Sequence, residues 1–180
     1  GREPRSQTAV SFFADPGFDP VETERLLAAT SILETVLRDA LREDLGQTYT
    51  VSVGLAQTPP QRGDSYVSVN FGAAPENIAG MTDRVLKEVA RLQAEGPSAD
   101  LVQRAREGAR RDFETAQKQN AWWMRRLQYV HMMRADPRDI ITRQARIDSL
   151  SVDTVRETFR RYFPLDRYTV VTLMPEAPSR

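Results

Sequence analysis

The sequence predicts an α+β fold: a mostly antiparallel β-sheet with helices packed on one face. Three observations carry this. Short stretches alternate apolar and polar residues at a period of two, as in Val67, Val69 and Phe71. Longer stretches repeat apolar residues at helical spacing, as in Leu26, Ala29, Leu33, Val36, Leu37 and Ala40. The two kinds run in the order strand, helix, two strands, several helices, strand, which leaves no regular βαβ alternation for a parallel sheet.

Each element has its own signals. TAVSFF, residues 8–13, reads as a strand followed by the turn-rich ADPGFDP. Asp19-Pro20-Val21-Glu22 reads as a helix start, with Asp19 as cap, Pro20 at the first helical position and Glu22 placed for a capping box. Gly46 is the expected stop. Beyond it Tyr49, Val51, Val53 and Leu55 share one side of a strand, with Thr50, Ser52 and Gly54 on the other. QTPPQRGD, residues 57–64, is turn material, so residues 47–72 read as an antiparallel pair joined by a long loop.

Pro75 opens a helix with Ile78, Met81, Val85, Val89 and Leu92 inward, ending at Gly96. Ser98 caps the next, with Leu101, Ala105, Ala109 and Phe113 inward. Asn120 and Asp136-Pro137 mark further starts or bends, and Ser151 caps a helix carrying Val152, Val155, Phe159 and Phe163, stopped by Pro164. YTVVTLM, residues 168–174, closes the chain as a strand. No repeat or Pro/Gly-rich linker divides these elements, so residues 1–180 read as one α+β domain, with 1–6 and 175–180 expected to fray. The start Gly-Arg-Glu-Pro, without methionine, predicts a fragment of a longer multidomain chain.

Composition excludes several chemistries. Lys plus Arg and Asp plus Glu both number 25, so the net charge is zero and the basic excess of a nucleic-acid binder is missing. With no cysteine there is no disulfide, thiolate metal site or cysteine nucleophile. No apolar run approaches the ~20 residues of a membrane-spanning helix. The single histidine, His131, is followed by Met132, Met133 and Arg134, so neither an HExxH nor an inverted HxxEH zinc motif can form. No G-x-S-x-G elbow or phosphate-binding glycine loop occurs. The many carboxylates read as solvated helix faces, and Trp122-Trp123 as core plus partner contact rather than a stacking platform.

What stands out is the junction LREDLGQTYT, residues 41–50, where Arg42 and Tyr49 flank Gly46. Spacing alone admits two readings. Arg42 suits the C-terminal end of a helix dipole and Tyr49 the underside of a sheet. Alternatively both are fixed donors, since a guanidinium and a phenol can hydrogen-bond a carbonyl oxygen and stabilise the charge it gains under attack by water. Such a pair is an accessory, because neither group activates water.

At this junction the sequence resembles the pitrilysin/insulinase family of zinc metallopeptidases, in its non-zinc-binding domain. LRDALREDLGQTYTVSV (37–53), VSVNFGAAPENI (67–78), GPSADLVQRAREGARRDFE (96–114) and RIDSLSVDTVRETFRRYF (146–163) with RYTVVTLMPE (167–176) carry the resemblance, in order, over nearly the whole chain. Its most specific piece is R-x-x-x-G-x-x-Y between helix and strand.

The resemblance implies an α+β domain like those of pitrilysin-type and mitochondrial-processing-peptidase-type enzymes, which pair into clamshells. One half binds zinc through an HxxEH helix. The other supplies an arginine and a tyrosine to the peptide substrate, here Arg42 and Tyr49. It therefore implies the substrate-contacting C-terminal domain of a zinc metalloendopeptidase. Its partners are a peptide or protein substrate and an HxxEH-bearing domain or subunit. Zinc is bound elsewhere in the full enzyme and no metal is held by this fragment, which alone is expected to be inactive. The alternatives are a non-catalytic assembly domain of an inactive member and a free-standing peptide-binding module. The resemblance leans towards the bacterial periplasm.

Overall fold

The computed structural model describes residues 5–13, 15–45 and 50–175, those of 41–45 by backbone alone. Its strands are β1 (Ser6–Phe13), β2 (Val51–Ala56), β3 (Tyr66–Ala73) and β4 (Tyr168–Leu173). The helices are α1 (Pro20–Leu45), α2 (Ile78–Ala94), α3 (Ala99–Ala116), α4 (Asn120–Met133), α5 (Arg138–Ile141), α6 (Arg143–Asp148) and α7 (Val152–Tyr162). The strands form one antiparallel sheet in the order β2-β3-β1-β4, with Val10 opposite both Val69 and Val170. This is the α+β fold that the order of periodicities predicts.

One face of the sheet makes the core. Val10 and Phe12 of β1 and Val67, Val69 and Phe71 of β3 are fully or almost fully buried, whereas Gln7 and Phe13 on alternate positions are exposed. Against that face lie Leu26, Ala29, Leu33 and Leu37 of α1, Met81, Val85, Val89 and Leu92 of α2, and Val155 and Phe159 of α7. Those positions are the stripes seen in the sequence, because a side chain every three or four residues keeps one helix face apolar. A smaller second cluster, Phe113, Trp122, Ile140 and Ile147, joins α3 to the helices that follow.

Caps set the helix ends. Asp19 accepts hydrogen bonds from the amides of Val21 and Glu22, both at 2.8 Å. Ser98 and Ser151 cap α3 and α7, the latter in a reciprocal box with Thr154. Gln93 of α2 donates to the Phe163 carbonyl at 2.8 Å, satisfying the C-terminal end of α7.

Three expectations change. Glu22 does not serve a capping box: its carboxylate faces α7, where Tyr162 donates to it at 2.7 Å and Arg161 at 3.0 Å. Ser6 is not frayed but buried at the start of β1, opposite Ala73. Nor are all the carboxylates solvated. Glu24 and Glu88 are 5% and 8% exposed, and arginines pair with both of them.

Candidate functional site

The candidate site is the corner between α1 and β2. The incoming arm is rigid: Leu33, Leu37 and Ala40 bury one side of α1 through its C-terminal half. The outgoing arm starts at Val51, which is 5% exposed and opposite Phe71 on β3. Because β2 lies at the sheet edge, half of its backbone groups lack a strand partner. Glu34 of α1 fills one of these vacancies, accepting a hydrogen bond from the Val53 amide at 3.1 Å while Arg38 holds its other oxygen. The two arms that flank the corner are thus packed on the core and tied to each other by one carboxylate.

Arg42 lies in the last turn of α1 and Tyr49 in the connection to β2. The Arg42 side chain and all of Tyr49 lie outside the described residues, as does Gly46. The structure therefore gives the frame that carries the pair, and the sequence gives the pair.

Elsewhere the aromatic candidates pack and the histidine is a surface residue. Trp122 is 8% exposed and stands edge-on to Phe113, with ring centroids 5.8 Å apart. The half-buried Trp123 gives its indole N–H to the Gln117 carbonyl at 2.8 Å. Trp122 is thus core and Trp123 packs against it at the edge of the second cluster. His131 is exposed near the end of α4. Among the described residues no group of three or more His, Cys, Asp or Glu could hold a metal ion, so these residues do not fit a zinc site.

Two ionic arrangements were not foreseen. Glu24 receives a two-toothed contact from Arg143, at 2.8 and 3.1 Å, and the guanidinium also lies 5.5 Å from the Phe113 ring centre. No local spacing signals a pair 119 positions apart. Glu88 sits between Arg84 and Arg91 at 3.2 and 2.9 Å, and here the helical spacing was a readable signal. A cleft of about 240 Å³ opens between the start of α1 and α7, lined by Glu22, Arg25, Asp153, Glu157 and Arg161 among others. Glu22, one of these lining residues, also accepts the Tyr162 hydrogen bond, and burial, then the neighbouring carboxylate, raises the Tyr162 phenol above its ordinary pKa.

A four-stranded antiparallel sheet with helices on one face defines an α+β domain. The family described as the peptidase M16 inactive domain matches residues 1–109, and the chain belongs to that family. The motifs from residue 37 onwards pointed to the same place. The chain is 31% identical, over 163 residues, to a zinc protease PQQL-like protein of Arabidopsis thaliana, covering 81% of this chain and 17% of that protein. Its fold matches the periplasmic protease PqqL of Escherichia coli with a TM-score of 0.78, at 18% identity, over 98% of this chain and 20% of the other. It also matches the ferredoxin protease FusC, solved in complex with Arabidopsis ferredoxin, with a TM-score of 0.81, at 20% identity, over 98% of this chain and 20% of that one. The chain thus spans about one-fifth of the length of these relatives.

Proposed function

We propose that the chain is a single domain, residues 1–180, of a larger zinc-dependent metalloendopeptidase, and that it contacts the substrate. Arg42 and Tyr49 are its proposed functional residues. Membership of the peptidase M16 inactive-domain family supports the reading most directly. The packing of the two flanking arms, α1 up to Ala40 and β2 from Val51, adds support, because a donor pair works best on a frame that is fixed before the substrate arrives. Zinc belongs to another domain or subunit, where it would supply the activated water. This chain's part is to hold a peptide carbonyl by donation from the Arg42 guanidinium and the Tyr49 hydroxyl, whose bonds shorten as the oxygen gains charge.

The substrate class is a peptide or protein, in line with the protein substrate that accompanies FusC. Among the described residues no helix is long and apolar enough to cross a membrane. The periplasmic setting of PqqL supports a periplasmic location for this chain too.

The test is Tyr49→Phe in the full-length protein. The expected outcome is a fall in kcat/KM of about 10²–10³ with unchanged melting temperature and zinc content. Near-normal turnover overturns the role of Tyr49. The family's description as inactive also suits a second reading, an assembly domain without catalysis. Absence of an HxxEH sequence from both the remaining polypeptide and its partner subunit would decide for that one.

A further inference from the structure

Helix α4 is apolar on two opposite sides, and only one of them is used. Inward it sets Trp122 into the second cluster, with Trp123 and Val130 packed against it. Outward, Met124, Leu127 and Met132 are 61%, 53% and 48% exposed. At 100° per residue these three, with the exposed Gln128 and His131, fall within an arc of roughly 140° centred opposite Trp122. Solvated helix faces are normally charged, so a methionine- and leucine-bearing stripe here calls for an occupant.

Charge indicates the occupant's sign. No acidic residue occurs between Glu114 and Asp136, while Lys118, Arg125, Arg126 and Arg134 all fall in that interval. Arg125 borders the stripe and Arg134 stands at the C-cap of α4, both exposed. Arg126, also exposed, is on the other side of the helix, its guanidinium 5.7 Å from the Trp122 ring centre. The nearest following carboxylates do not neutralise this face: Asp136 is bound by Arg138 at 2.6 Å, and Asp139 lies 4.0 Å from Arg146. Three apolar side chains with two arginines that have no ion-pair partner among the described residues form too small a cluster for a membrane surface, which takes several more basic residues. The zero net charge gives no long-range field to hold a nucleic acid.

We infer that the outer face of α4 is a docking surface for an acidic, apolar segment of a partner protein. Methionine and leucine adapt to the partner's apolar side chains, and Arg125 and Arg134 meet its carboxylates. The inference does not depend on the role of Arg42 and Tyr49.

The experiment uses the full-length protein and a fluorescent amphipathic peptide with leucine on one face and glutamate on the other, followed by anisotropy. Binding is expected to weaken as ionic strength rises. Met124→Ser with Leu127→Ser should weaken it roughly tenfold or more, and Arg125→Glu with Arg134→Glu roughly five- to tenfold. The charge-reversed variant should bind a lysine-for-glutamate version of the peptide better than the wild type does. Both double variants change exposed residues, and circular dichroism checks their folding. Equal binding by the wild type and both variants overturns the inference, as does no binding at all. So does a response confined to anionic vesicles or single-stranded RNA under the same conditions.

Discussion

Tyr162 lies 140 positions from Glu22, yet its hydroxyl donates to that carboxylate at 2.7 Å from a side chain that is almost fully buried. Burial is the main reason why the phenol resists ionisation, and the hydrogen bond to a negative partner is the next. In the unfolded chain the group returns to its ordinary value of 10.0. Because the folded pKa is the higher one, the contribution to stability is complete below that value. It is lost as pH rises from there towards the folded pKa. Tyr162→Phe removes the ionisable group and one hydrogen bond. At neutral pH the variant should be less stable by about 1 kcal/mol. Above pH 10 its stability should fall less steeply than that of the wild type, and denaturant titrations across the alkaline range provide the measurement. Parallel curves would mean that Tyr162 ionises as freely in the folded protein as in the unfolded one.

Among the elements, the α2–α3 connection shows how closely a turn and a helix are fitted. Gly96 has a φ of 79°, in the left-handed region. A Cβ added there would stand 3.3 Å from both Arg156 Cβ and Val152 Cγ1 of α7. Gly96→Ala should therefore cost about 1–2 kcal/mol from the backbone alone. Gly80, on the exposed side of α2, has nothing within 4 Å of its would-be Cβ. Gly80→Ala should stabilise by roughly 0.5–1 kcal/mol, since it only adds helix propensity. Urea midpoints with unchanged m-values would display the contrast, and equal shifts of the two variants would refute it.

At this scale much of the fold was legible. Gly96 as a stop, Ser98 and Ser151 as caps, and the stripes of α1, α2 and α7 are local patterns that neighbouring residues determine. What was not legible depended on distant partners. Glu22 fits a capping box by spacing, but Arg161 and Tyr162 reach it from the other end of the chain. Glu24 resembles any surface glutamate until Arg143 is folded against it. The Arg42–Gly46–Tyr49 spacing identifies the candidate corner, but spacing does not determine where a donor points.

Across the whole molecule, burial divides into a main cluster between sheet and helices and a satellite built on Phe113, Trp122, Ile140 and Ile147. The main cluster joins residues from β1 to α7 and should open only with global unfolding. The satellite anchors α4, whose outer face has no partner among the described residues, through few side chains. Regions with little buried apolar contact open locally at lower free energy. Hydrogen exchange should accordingly be faster in residues 120–133 than at Val10 or Val69, whose strands lie at the centre of the sheet. Phe113→Ala removes the ring that packs on Trp122 and supports Arg143, and should lower protection in α4 to α6 first. Protection of β1 and β3 should stay close to the wild-type level. Trp122→Phe, a milder change, should act in the same direction by less. If either variant lowered protection uniformly from β1 to α7, the two clusters would unfold as one unit. The α4 surface would then be as rigid as the sheet, instead of a region able to adjust to what docks on it.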